Sequence, residues 1–269
     1  MDVKDLFNYM KVLGIRPKKR LSQVLLVDKR FLRKIAKIVY DEVSSYRPIL
    51  ELGAGPGNLT MYLLSEGLDV IAIEIDYRFA PLLNMIKKEF GCLEVAIADA
   101  LSVLEWPNIP RVVVGNLPYH ISSDLLIAIA RSKIEKAVVT LQKEVAERIV
   151  AKPGTDAYGR LSVIMQTIFK ARIALYIPNK AFKPVPEVSS ATVVLERIRA
   201  YDNVVHVLET VTRCLFSYRN KLAHKALRKC FPKTLEAMHD WIKKLERVRV
   251  YEMHPEDFLE IARMCVEVT

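Results

Sequence analysis

Asn116-Leu117-Pro118-Tyr119 closes the apolar run Val112-Val113-Val114-Gly115. The four residues offer an amide oxygen, a backbone carbonyl fixed by proline and an aromatic ring, a set that suits a flat base carrying an exocyclic amine. An adenine N6 is a poor nucleophile because its lone pair is delocalised into the ring. Two acceptors, Asn116 Oδ1 and the Leu117 carbonyl, can draw its hydrogens out of the ring plane and localise that lone pair. Such catalysis works by position and polarity, and no side chain needs a tuned pKa. Asn-x-Pro-aromatic is also an ordinary turn, since Pro presets the backbone and Asn bonds locally.

The elements around this segment decide what it faces. Short β-rich runs, Ile49–Leu52, Val70–Ile75, Glu94–Ile97, Val112–Val114 and Ala137–Leu141, alternate with helical patterns over Leu59–Glu66, Phe79–Phe90, Ser122–Arg131 and Lys143–Ala151. That alternation predicts a parallel sheet with helices on both faces and ligands at the carboxyl ends of its strands. Ala171–Ile177 and Ala191–Glu196 read as two further strands, joined by a Pro-rich turn into an antiparallel hairpin. From about Tyr201 the pattern is helical, with segments over Val204–Phe216, Lys221–Lys229, Leu235–Leu245 and Asp257–Val266. The expectation is an α/β Rossmann-like sheet domain over residues 1–198 and a small all-helical domain over residues 199–269.

The first strand runs into Glu51-Leu52-Gly53-Ala54-Gly55-Pro56-Gly57. Glycines at these places let the backbone turn tightly and let a ligand approach without meeting a Cβ. The spacing is not the Gly-x-Gly-x-x-Gly of a dinucleotide site, and Pro56 removes an amide that a pyrophosphate would use. Glu74 ends the second strand, where an acid can accept from ribose hydroxyls, and Asp99 follows the third, where a carboxylate can accept from an adenine amine. Either acid alone also reads as a strand-end cap. Three such features after successive strands describe an adenosine-bearing cofactor without a required pyrophosphate, and S-adenosylmethionine fits.

In order along the chain, Glu51 to Thr60, Ile73-Glu74-Ile75-Asp76, Asp99-Ala100 and Asn116-Leu117-Pro118-Tyr119 resemble the motifs of the KsgA-type ribosomal RNA adenine dimethyltransferases. The likeness extends to Leu141–Arg148, Tyr158–Ser162 and Phe182–Ser190, over roughly residues 15 to 230. It implies the class I methyltransferase fold and dimethylation of two adjacent adenines near the 3′ end of small-subunit rRNA. Carried over by position, Gly53 would approach the cofactor's methionyl part, Glu74 would bind its ribose, Asp99 its adenine amine, and Asn116 would lie between cofactor and target; Gly55, Ile75 and Ala100 are cofactor-binding candidates beside them. Gln23 and Leu26 keep their family places near the cofactor. Between them Val24 stands where the family has an Asn, so a contact there must come from backbone or a neighbour. Tyr119 would stack on one face of the extruded base, and Phe182 is similar to the aromatic that covers the other. Phe182 also reads as a hydrophobic plug.

A net charge of +10 in 269 residues is concentrated in two runs, Arg16 to Lys37 and Arg213 to Lys233. They can converge on a phosphate backbone or merely solvate helix faces. Tyr218-Arg219-Asn220-Lys221 interleaves an aromatic with charges, which makes Arg219 and Lys221 candidates for rRNA contact. Cys92, Cys214, Cys230 and Cys265 are far apart with no Cys-x-x-Cys pair, and read as buried thiols with no metal site. No apolar run reaches membrane-spanning length and the first residues lack a secretion-signal pattern, so a cytoplasmic address is expected. The resemblance implies small-subunit rRNA within a pre-ribosomal particle as the partner, with the protein expected to be a monomer. Two alternatives stay open: an adenine N6-methyltransferase of large-subunit rRNA, and an RNA-binding assembly factor without catalysis.

Overall fold

The fold is described from a computed structural model over residues 2–18, 21, 23–232, 243 and 245–267. Lys19, Arg20, Ser22, Lys233 and most of the helix expected over Leu235–Leu245 lie outside the described residues.

In chain order the strands are β1 (Leu25–Leu26), β2 (Ile49–Leu52), β3 (Val70–Glu74), β4 (Leu93–Ile97), β5 (Val112–Asn116), β6 (Lys136–Gln142), β7 (Phe169–Ile177), β8 (Phe182–Lys183) and β9 (Ser190–Arg197). The helices are α1 (Val3–Val12), α2 (Lys29–Val43), α3 (Asn58–Ser65), α4 (Ala80–Phe90), α5 (Ala100–Val103), α6 (Ser122–Arg131), α7 (Lys143–Ile149), α8 (Arg160–Ile168), α9 (Asn203–Phe216), α10 (Ala223–Cys230) and α11 (Pro255–Glu267).

One sheet has the order β4-β3-β2-β5-β6-β9-β7. β4, β3, β2, β5 and β6 are parallel to their neighbours, whereas β9 is antiparallel to β6. This is the fold class expected, with the hairpin attached through its second strand. Every residue of β2 and Val112–Val114 of β5 are buried, so both sheet faces are covered and the strands read as continuous apolar runs. The order reverses between β2 and β5, a topological switch point where the loops after both strands open a crevice.

β1 and β8 form a separate two-stranded antiparallel ribbon, Leu26 opposite Phe182 and Leu25 opposite Lys183. The basic N-terminal run also has a fold beyond its charge. Leu32, Ile35, Ala36, Val39 and Val43 put an apolar stripe on one side of α2, and Asp28 caps it by accepting from the Arg30 amide at 2.9 Å. Its cations are partly neutralised locally: Lys29 pairs with Asp2, Arg30 with Asp28 and Lys37 with Asp41. Such exposed pairs stabilise little.

The chain divides into two compact units, Met1–Ala146 with Arg172–Glu196, and Glu147–Ala171 with Arg197–Thr269. The break expected near Arg199 therefore misplaces Glu147–Ala171, which joins the helical tail. Packing explains this. Tyr158 and Val163 are fully buried in the second unit's core with Leu208, Leu215 and Phe258, and the Tyr158 hydroxyl donates to the Met253 carbonyl at 2.9 Å. Phe216 stacks on Phe258 with centroids 5.3 Å apart.

Cys214 and Cys230 are not buried thiols. They form a disulfide, with Cα atoms 5.9 Å apart, that ties the end of α9 to the end of α10. Cys92 is an exposed free thiol and Cys265 a half-buried one. Among the described residues no helix is long and apolar enough to cross a membrane.

Candidate active site

One pocket of about 1010 Å³, counting its open mouth, lies at the carboxyl ends of β2, β3, β4 and β5. Gln23, Leu26, Gly53, Gly55, Glu74, Ile75, Asp99, Ala100 and Asn116 all line it, together with Leu117 and Tyr119. Residues from five separate stretches of sequence thus meet at the switch point of one sheet.

Gly115 makes the approach of β5 to β2 possible. Its φ is +149°, and a Cβ there would lie 2.4 Å from the Leu52 carbonyl oxygen, a backbone atom that cannot step aside. Gly53 and Gly55, at φ +72° and +58°, turn the β2 loop beneath the pocket and keep side chains out of it.

Glu74 is buried, and its two oxygens accept from the amides of Gly55 and Asp76, each at 2.7 Å. A carboxylate can accept about four hydrogen bonds, so Glu74 keeps capacity for a hydroxyl donor, and burial pushes its pKa above the ordinary value. Asp99 is exposed at the rim and caps α5 by accepting from the Leu101 amide at 2.9 Å through one oxygen. Ile75, 53% exposed at the end of β3, offers an apolar edge beside these acids.

The segment Gln23–Leu26 is pinned across the pocket. Asn58 Nδ2 donates to the Leu26 carbonyl at 2.8 Å, and Asn116 Nδ2 donates to the Val24 carbonyl at 3.1 Å. The Val24 carbonyl is thus taken up by Asn116. Gln23 has both ends of its amide engaged, donating to Asp76 at 2.9 Å and accepting from the Lys18 amide at 2.7 Å. Asp76 is gripped by Arg78, whose guanidinium holds its carboxyl far below the usual range. Gln23 therefore acts as a clip for the pocket wall.

The bond to Val24 fixes the Asn116 amide so that Oδ1 is the atom left over, and it is buried with no hydrogen-bond partner among the described residues. A buried acceptor without a donor costs free energy, which a bound N–H would recover. Next to it, the Leu117 amide donates to the Thr140 carbonyl at 3.0 Å and fixes the turn. The Tyr119 hydroxyl shares a 2.7 Å hydrogen bond with Ser190 Oγ on β9, which sets the ring's tilt. Burial raises its pKa, so the phenol stays neutral at neutral pH.

Two expected target contacts are placed elsewhere. Phe182 is fully buried in the core opposite Leu26, because β8 pairs with β1 and turns the ring inward; it is a plug and presents no face to a base. Arg219 donates to the carbonyls of Tyr158, Thr155 and Asp156 and lies over the Tyr251 ring, so its guanidinium is spent on holding the second unit together. Lys221 remains exposed.

Glu51 is a pocket residue that motif reasoning did not single out, although it opens the glycine motif. It is 1% exposed, Oε2 has no partner among the described residues, and burial pushes its pKa from 4.5 up to about 7. A raised folded-state pKa means that the stability is present below the unfolded value and is lost as pH rises through the folded one. For the cofactor-free protein, that loss is about 3 kcal/mol between about pH 5 and about pH 8. Denaturant titrations should show it in the wild type and not in Glu51→Gln; equal pH profiles would refute the assignment.

A sheet of this order, with such a pocket at the ends of its parallel strands, is that of a class I methyltransferase, whose methyl donor is S-adenosylmethionine. The chain belongs to the ribosomal RNA adenine dimethylase family, whose model matches residues 14–266. It is 37% identical over 254 residues to a probable ribosomal RNA small subunit methyltransferase A of Methanopyrus kandleri, covering 91% of this chain and 86% of that one. To the ribosomal RNA small subunit methyltransferase A of Caulobacter vibrioides it is 42% identical over 218 residues, covering 78% and 84%. Among solved structures, a dimethyladenosine transferase from Plasmodium falciparum matches with a TM-score of 0.70 at 26% identity, covering 90% of this chain and 96% of that one. The 23S rRNA methyltransferase ErmE matches with a TM-score of 0.65, also at 26% identity, covering 89% and 98%.

The pocket fits the cofactor on three counts. Its floor is glycine where a methionyl chain needs room, its β3 acid keeps acceptor capacity, and Asn116, whose Oδ1 is buried and unpaired among the described residues, is part of its lining.

Proposed function

We propose that this protein is an S-adenosylmethionine-dependent enzyme that dimethylates adenine N6 in small-subunit rRNA, at two adjacent adenines in a loop near the 3′ end. The observation that carries this is the Asn116 amide, locked by the Val24 carbonyl with Oδ1 unpaired beside the glycine floor. Gly53 and Gly55 would border the methionyl part, Glu74 and Ile75 the ribose, and Asp99 and Ala100 the adenine of the cofactor.

The bound cofactor supplies an electrophilic methyl group on a sulfonium. Asn116 Oδ1 and the Leu117 carbonyl accept the hydrogens of the target amine and turn its lone pair out of the ring plane. Tyr119 stacks on the base in a tilt that Ser190 fixes. The proton leaves to water after methylation. After one transfer the amine keeps one hydrogen, enough for one of the two acceptors in a second round. Nucleoside analysis of treated rRNA tests this: N6,N6-dimethyladenosine is expected, and N6-methyladenosine as the final product would contradict it.

For the RNA, the exposed side of α10 is the surface of choice. Lys225, Arg228 and Lys229 project from it without an acid, Lys221 precedes it, and Lys229 lies over the Tyr218 ring at 5.2 Å. Such contacts position a phosphate backbone without reading sequence. Reversing Lys221, Lys225 and Arg228 to Glu should weaken rRNA binding and lower the log–log salt slope by roughly 2. Unchanged binding in a salt titration would assign α10 to packing instead. The enzyme acts as a cytoplasmic monomer on a pre-ribosomal particle in this reading.

The likeness to ErmE keeps a large-subunit target as the second reading. The small-subunit names of the relatives at 37% and 42% identity favour the first.

A further inference from the structure

A second pocket, about 790 Å³ with its open mouth, shares Gln23, Val24 and Tyr119 with the first and adds His120, Gln142 and Pro184. The two pockets meet at Tyr119, the residue proposed to stack on the target base. The groups already described leave one thing unexplained. Two acceptors hold any exocyclic amine, whether of adenine, cytosine or guanine, and an aromatic ring stacks on any base. Neither tells one base from another.

Gln142 is placed to do so. It ends β6 directly opposite Ser190 of β9, and cross-strand partners project from the same sheet face. Ser190 Oγ holds the Tyr119 hydroxyl at 2.7 Å, so the Gln142 side chain stands beside the stacking ring. One pair earlier on that face, Thr140 and Thr192 satisfy each other at 2.8 Å. The Gln23 amide is consumed by Asp76 and Lys18. Gln142 is half-buried, and its carboxamide makes no hydrogen bond within the described residues. It is the carboxamide in this pocket with donor and acceptor both unspent.

We infer that Gln142 is a specificity-determining residue, whose Nε2 donates to a ring nitrogen flanking the amine of the target adenine. On the N7 side of the amine a donor matches adenine and meets only C5–H in cytosine; on the N1 side it opposes the N1–H of guanine but matches N3 of cytosine as well as N1 of adenine. The inference rests on the adenine-methylating function proposed above.

The test couples the side chain to the atom. Reconstituted small subunits carry adenosine, 1-deazaadenosine or 7-deazaadenosine at the target position, and kcat/KM is measured for wild type, Gln142→Leu, Gln142→Glu and His120→Ala. Wild type should lose about 10-fold on one of the deaza substrates. Gln142→Leu should lose about the same on adenosine and nothing more on that deaza substrate, because the bond is already gone. Gln142→Glu keeps the shape but replaces the donor by an acceptor, and should fall further on adenosine while binding S-adenosylmethionine as wild type does. His120→Ala should retain the deaza penalty. A full penalty surviving in Gln142→Leu and Gln142→Glu, or one lost in His120→Ala, overturns the proposal with methylation intact. No transfer by wild type to any small subunit removes the functional reading, and the proposal with it.

Discussion

Asn116→Ala is expected to lower the rate of methyl transfer by about 10²–10³-fold, the cost of removing one preorganised polar group aimed at developing charge. Cofactor affinity should change little, because the glycine floor and Glu74 are untouched. Oδ1 is buried, unpaired among the described residues and fixed by the Nδ2 bond to Val24, so truncation removes a positioned acceptor. Asn116→Asp separates the two halves of the amide. It keeps an acceptor but loses the donor to Val24, leaving that carbonyl unsatisfied and the side chain free to turn. It should recover only part of the loss. Single-turnover rates with saturating cofactor check both variants, and a rate near wild type for Asn116→Ala would remove the acceptor from the mechanism.

Gly115→Ala has the largest expected effect on stability, roughly 3 kcal/mol or more. Two costs add there. The backbone has φ +149°, and the new Cβ would stand 2.4 Å from the Leu52 carbonyl oxygen. Relief requires β5 to move away from β2, which would carry Asn116 off its position above Gly53. The variant should therefore melt earlier and also lose transfer in whatever fraction remains folded. A denaturant midpoint equal to wild type would mean that the strand ends are looser than their register implies.

The pocket was legible in the sequence because parallel α/β topology does the assembling. Once Leu52, Ile75, Ile97 and Gly115 are strand ends, the loops after them must share one sheet edge, and chemistry read separately at Gly53, Glu74, Asp99 and Asn116 converges. What was not legible depends on partners distant in sequence. Phe182 looks like a projecting aromatic until β8 is seen to pair with β1. Arg219 looks like an RNA contact within a basic run, and only the fold brings the carbonyls of Thr155, Asp156 and Tyr158 to it. Cys214 and Cys230 pair because α9 and α10 fold back on each other, and a separation of 16 residues does not announce that. Tyr158-Gly159-Arg160-Leu161-Ser162 has a structural duty: Tyr158 fills the second unit's core, and Ser162 Oγ donates to the Arg148 carbonyl at 2.6 Å.

Glu51 belongs to a third kind. Its position in the glycine motif was visible, but its burial was not, and burial is what makes it titrate near neutral pH. Val24 is the reverse case. A missing family Asn suggests a lost contact, yet the Val24 carbonyl supplies the bond that orients Asn116.

The central claim is that this pocket methylates an adenine amine of small-subunit rRNA. Incubating the protein with labelled S-adenosylmethionine and separated small subunits, large subunits and DNA, then mapping the labelled base, tests it most directly. Label is expected on adenine N6 at adjacent positions near the 3′ end of the small-subunit rRNA, appearing about 10²–10³-fold more slowly with Asn116→Ala. Label confined to the large subunit, or to any atom other than an adenine N6, would contradict it.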